Sequence, residues 1–222
     1  HTVTAASPLK PALDDCASLR EVIRVVREAA GEAGDWRAIV DGLRPDLDRL
    51  WGALTPAEQG AFLRHLARPW ECHRHRMAPA VASRVARLRT QGLLRIRAGG
   101  LREVSPAADG GLIAELASGP LAVGGIVNCA GPGLLPGAAG SLPAALIADG
   151  VARVGPHGLG LDIDRSGRLV GADARTQEGV WVLGPLRRGA RWETTAVPEI
   201  RDQAHRLALD IAADVPVPAL AA

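Results

Sequence analysis

The sequence predicts an α/β protein with a helical subdomain, on three observations. Apolar residues recur at helical spacing through about the first 90 residues. From Leu93 they change to short runs set between glycine turns. One amphipathic stripe then closes the pattern near the carboxyl end. The expected division is a mainly helical subdomain over 1–92, followed over 93–222 by a β-rich part and a last helix.

The elements follow in order. Ser18-Leu19-Arg20-Glu21 has capping-box spacing, and Leu19, Val22, Ile23 and Val26 then share one helical face. Asp35 is placed to cap a second helix carrying Trp36, Ile39, Val40 and Leu43. Pro45 ends or kinks it, and Leu47, Leu50, Trp51 and Leu54 resume the period. Thr55-Pro56-Ala57-Glu58 combines a cap, a first-turn proline and a box glutamate. Pro79 opens a further helix, with Val81, Val85 and Leu88 expected inward. Strands are expected at Leu93–Arg97, Leu112–Leu116, Ala122–Cys129, Gly160–Asp164, Arg168–Val170 and Gly179–Gly184, with a short helix at Leu142–Asp149. The last helix should run from Pro198 to about Ala213, on the stripe Ile200, Ala204, Leu207, Ala208 and Ile211.

Composition bounds the function. A chain of 222 residues with 47% hydrophobic content can bury a real core. The balance of 26 basic against 24 acidic residues, net +2, gives no field that recommends nucleic acid or a membrane surface. Cys16, Cys72 and Cys129 are odd in number and far apart, which suits a reducing cytoplasm better than a disulfide framework. The longest apolar stretch, near Leu121–Cys129, is too short to span a bilayer and is broken by Gly124 and Gly125. The first residue is His1 rather than methionine, so the chain is expected to be processed, trimmed or cut from something longer.

Three segments are candidates for chemistry. Ile126-Val127-Asn128-Cys129-Ala130-Gly131-Pro132-Gly133 reads as an apolar strand ending in small residues, where backbone can approach a ligand closely; such a sequence is more often a plain turn. The second runs from Val180 to Gln203. There a buried strand leads to Gly184-Pro185, a polar loop follows, and a helix starts at Pro198. Val197 is a poor cap, so the N–H groups of Glu199, Ile200 and Arg201 are expected to face another acceptor. Thr194, Thr195 or water is the alternative cap.

These segments resemble a known family. Asn128–Pro132, Leu183–Gly189 and Trp192–Arg201 are similar to bacterial FAD/NAD(P)-binding proteins related to N-hydroxylating and other flavin monooxygenases. The likeness runs from about Trp70 to Ala213. It implies the carboxyl-terminal part of an FAD-binding, Rossmann-like flavoprotein of the two-dinucleotide-binding-domain kind. It also implies Gly131, Pro132, Gly184, Pro185, Trp192, Glu193, Thr194, Thr195, Ala196 and Val197 beside the flavin, with NAD(P)H as reductant. Such proteins hold the FAD pyrophosphate on a strand and a Gly-x-Gly-x-x-Gly turn. Gly31–Gly34 follows a helix, and Gly155–Gly160 has the wrong spacing. The expected partner is therefore an amino-terminal FAD-binding half, with a small-molecule substrate beyond it.

The third segment is Trp70–Met77, with His65 nearby. Cys72, His73 and His75 are zinc-binding types, but no second pair at ligand spacing follows, and a tetrahedral site needs four donors. The related family carries a similar basic stretch near its active-site mouth, while a solvated helix end is the plainer reading. No catalytic side chain is expected, because reduced flavin would do the chemistry. The competing expectation is a flavin-free binding or interaction module derived from such a protein.

Overall fold

The structure, a computed structural model, describes residues 9–214 apart from 109, 130, 132, 136 and 138. It is a mixed fold of helices and two small antiparallel sheets. The chain forms two compact units, one of His1–His75 with Gly133–Ala222 and one of Arg76–Pro132. Leu93, where the period changes, falls inside the second.

In the discontinuous unit the helices are α1 (Lys10–Asp14), α2 (Leu19–Glu32), α3 (Trp36–Gly42), α4 (Leu47–Ala53), α5 (Pro56–His65) and α6 (Ala67–Arg74). The caps are those that the residue types dictate. Ser18 Oγ accepts the Glu21 N–H at 3.3 Å, but the Glu21 carboxylate takes the Ala17 N–H, one residue outside the expected box. Asp35 accepts from the Arg37 N–H at 3.0 Å. The Thr55–Glu58 box is complete, and Glu58 also accepts the Leu19 N–H at 2.9 Å, which ties α5 to the start of α2. Those N–H groups, Leu19 first and then the Thr55 hydroxyl and amide, hold the Glu58 carboxyl below its ordinary range. Pro45 lies in a 3-10 turn, Arg44–Asp46, that links α3 to α4.

One core gathers Leu13, Leu43, Leu47 and Leu50, with Val22, Val26 and Trp70 packed against it. A second gathers Ala152, Leu161, Leu169 and Val182 beneath α8 (Leu142–Ala148) and the two-stranded sheet of β4 (Arg168–Val170) and β5 (Thr176–Trp181). Each fully buried aliphatic chain contributes about 1.5–3 kcal/mol. Of the expected Gly160–Asp164 strand only isolated bridges form, Val154 to Leu161 and Ile163 to Leu169.

The Arg76–Pro132 unit holds α7 (Pro79–Thr90) and an antiparallel meander of β1 (Leu101–Pro106), β2 (Leu112–Leu116) and β3 (Gly119–Val123). Val104 and Leu121 flank Ala114, which is buried at the centre. Gly110, at φ +88°, and Gly119, at φ +109°, make the two turns that only glycine makes without strain. Three expectations fail here. Leu93–Arg97 is not a strand, and β1 begins at Leu101 instead. Val81 is exposed rather than inward. The strand expected over Ala122–Cys129 stops at Val123, because Gly124-Gly125 interrupts it and no described strand offers Ile126–Cys129 an edge; Val127 is 87% exposed.

The remaining elements are β4 (Arg168–Val170), β5 (Thr176–Trp181) and α9 (Val197–Asp214). β5 begins earlier than the expected Gly179–Gly184. The described strands pair antiparallel, and no parallel Rossmann sheet forms among the described residues.

Candidate functional site

The loop from Gly184 to Pro198 is held by one side chain at its start and at Glu193. Gln203, one turn and a half into α9, accepts the Gly184 N–H at 3.2 Å and donates to the Glu193 carbonyl at 3.4 Å. Gly184 is buried at φ +70°, and a Cβ there would meet Ile200 at 3.6 Å. Glycine is thus required by backbone angle more than by space. The chain then turns through a 3-10 helix, Gly184–Arg187, in which Pro185 is exposed.

Beyond the turn the loop crosses the end of the first core. The Trp192 ring lies 5.0 Å from Trp51 and 5.0 Å, edge-on, from Phe62. The Arg188 guanidinium covers Trp192 at 4.4 Å and is hydrogen-bonded to Glu71 of α6. Trp192, Glu193 and Thr194 are all buried, Thr194 completely. Thr195 and Val197 are exposed and Ala196 is half-buried, so the loop's accessible face begins at Thr195.

Glu193 heads a chain of alternating charge. Its carboxylate lies 3.6 Å from Arg74 of α6, Arg74 lies 3.3 Å from Glu199, and Glu199 accepts from the Arg44 Nε at 2.8 Å. Burial pushes the Glu193 carboxyl above its ordinary value, and Arg74 and His75 pull it back in part. Glu193 Oε2 and the Thr194 hydroxyl, though buried, lack a hydrogen bond among the described residues. Such atoms are costly unless something completes them.

Two cavities adjoin this loop. A polar one of about 410 Å³ lies at the start of α9, walled by Glu193, Pro198, Glu199 and Gln203 on one side and Arg44 and Asp48 on the other. An apolar one of about 510 Å³ is lined by Trp192 and by the apolar faces of the helices between Leu19 and His73. Not every donor expected at the helix start is open, because the Ile200 N–H closes back on the Ala196 carbonyl at 3.1 Å.

The residues singled out from sequence are distributed as follows. Gly184, Pro185 and Trp192–Val197 share the loop. Gly131, at φ +90° and exposed, belongs to the Arg76–Pro132 unit, and Pro132 lies outside the described residues. Around Trp70–Met77 the candidate ligands diverge: His73 bonds the Pro69 carbonyl and sets its ring against Trp36, while His75 lies 3.4 Å from Glu71. Among the described residues no three His, Cys, Asp or Glu side chains are grouped for a metal ion. No described helix is long and apolar enough to cross a membrane.

Sequence reasoning missed Arg44, Glu199 and Gln203 as partners of the loop. No local signal marks them, since Arg44 and Glu199 are 155 residues apart. No family model matches this chain, and no curated protein matches it.

Proposed function

We propose that the chain is the carboxyl-terminal part of an FAD-dependent, NAD(P)H-linked oxidoreductase, a monooxygenase among the forms it can take, whose Gly184–Pro198 loop closes over the flavin. The observation that supports this is the polar cavity at the start of α9, which the loop borders with Glu193 and the helix borders with Pro198, Glu199 and Gln203. The cavity's chemistry suits one part of the cofactor and not another. Its walls carry five carboxylates, Asp41, Asp48, Glu193, Glu199 and Asp202, against Arg44 and Arg206. That excess of acid repels a pyrophosphate but tolerates the neutral, hydrogen-bonding edge of an isoalloxazine ring. An amino-terminal half with its own glycine-rich turn would hold the pyrophosphate, in keeping with the absence of such a turn from the described residues.

Bound flavin would supply the electron and hydride chemistry. The side chains here would hold and shield it. Thr195, Ala196 and Val197 would form the contact face. Gln203 would keep the loop pinned to α9, and Glu193, raised toward the protonated state, would offer a proton-holding group at the cavity wall. A small-molecule substrate would enter on the open side of the ring.

The rival is a flavin-free interaction module, favoured by the apolar exposure of Leu93, Ile96 and Val127 in the Arg76–Pro132 unit. Absorbance separates the two. The protein purified with the residues that precede this chain should be yellow with stoichiometric FAD and should bleach on adding NADPH or NADH, whereas the chain alone should be colourless. A longer protein that stays colourless after soaking in FAD overturns the flavin reading.

A further inference from the structure

The chain has six aromatic side chains, five tryptophans and one phenylalanine. Five of them, Trp36, Trp51, Phe62, Trp70 and Trp192, line the apolar cavity of about 510 Å³; Trp181 alone stands elsewhere. They come from α3, α4, α5, α6 and the loop before α9, so five separate segments each deliver one aromatic ring to one space. In a chain this poor in aromatics, ordinary core filling by aliphatics would not need that convergence.

The fourth side of the cavity is α2. Its apolar stripe, Leu19, Val22, Ile23, Val26 and Ala30, is strongly one-sided, and an apolar stripe of that kind ordinarily disappears into a core. None of its residues is buried. Val22 and Val26 pack in part against the first core, and the stripe as a whole lines the cavity, whose lining also includes the exposed Arg27 and His73. Protein interiors pack as densely as organic crystals, with few voids larger than a water molecule. An apolar space of this size, open at a polar rim, has the dimensions of a small-molecule site.

We infer that this cavity binds a planar, largely apolar aromatic molecule, held between α2 and the tryptophan walls. The rings favour a flat partner. Trp51, Trp192 and Phe62 meet one another at 5.0–5.9 Å in tilted and edge-on arrangements, the kind of contact that aromatic rings prefer to make. A flexible alkyl chain would gain the same apolar burial but no ring–ring term, and it would lose more rotamer freedom. This cavity and the polar one at α9 share no lining residue, and only Trp192 belongs to the loop used in the flavin reading.

The test uses the chain as it is, without flavin. Calorimetric titration with 2-naphthol should show saturable binding of one molecule per chain with a negative heat-capacity change. Dodecanoate should bind several-fold more weakly, since it gains no ring–ring contact. Val26→Phe and Ala30→Trp each fill the space from α2. At least one of them should retain the parent's circular dichroism and melting temperature while weakening 2-naphthol binding by about tenfold or more. Trp181→Phe, which leaves only cavity tryptophans, should keep full affinity and shift its emission on binding. Absent or unsaturable heat, tighter binding of dodecanoate, or folded filling variants that bind like the parent would each overturn the inference.

Discussion

The Trp51 indole N–H donates to the Gly189 carbonyl at 2.8 Å across 138 residues of chain, joining α4 to the loop that leads to α9. Trp51 is only 4% exposed, so the bond is out of water's reach. Trp51→Phe keeps an aromatic ring but orphans the carbonyl. The variant should lose about 1–3 kcal/mol, read as a lower urea midpoint at unchanged slope. An unchanged midpoint would mean that the bond contributes nothing net.

Stability should depend on pH through Glu193. Burial raises its folded-state pKa above the ordinary 4.5, so the folded protein holds this proton more tightly than the unfolded chain does. The stabilisation is complete below that ordinary value and is lost as pH rises through the raised one. Glu193→Gln removes the titration, and its urea midpoint should fall less than the parent's over that window. Parallel pH profiles for the two proteins would refute the assignment.

Gly160 admits no side chain. It sits at φ +68°, and an added Cβ would collide with the Leu186 and Arg188 carbonyls, which lie on a backbone already fixed by the 2.7 Å bond from Leu161 N–H to Leu186. Gly160→Ala combines left-handed strain with backbone overpacking and should cost about 3 kcal/mol or more by chemical denaturation. A near-neutral result would show that the loop moves aside easily.

On the proposed flavin reading, in a longer protein that carries FAD, Thr195→Trp should block the exposed face of the loop, and Pro198→Gly should loosen the entry to α9. Each should weaken FAD binding by about tenfold, measured by flavin fluorescence on dilution. Variants that bind FAD like the parent would remove this loop from the flavin site.

Much of the helical architecture was legible, because its signals are local. Asp35, Thr55, Pro56 and Pro79 act within one turn of themselves, and the structure places helix starts where they stand. The strands were harder, since pairing depends on a partner that a single run cannot specify. Leu112–Leu116 pairs with a strand on each side, whereas the apolar Ile126–Cys129 forms no strand. At the site, Trp192 and Glu193 are singled out by the family resemblance alone. Their surroundings could not be, because Arg74, Arg44 and the helical tryptophans reach them only through the fold.

The discontinuity of the larger unit sets an order of events during synthesis. All strand pairings of the Arg76–Pro132 unit are between neighbours in sequence, so its meander can close as soon as it emerges. Helices α1–α6 can gather their own leucine core, but Trp51 and Arg74 find Gly189, Glu193 and Glu199 only after the whole intervening stretch has been made. At about 5–20 residues per second that interval is on the order of ten seconds. For that time the tryptophan-rich wall lacks Trp192 and lies open on the nascent chain, a natural point for a chaperone to hold it.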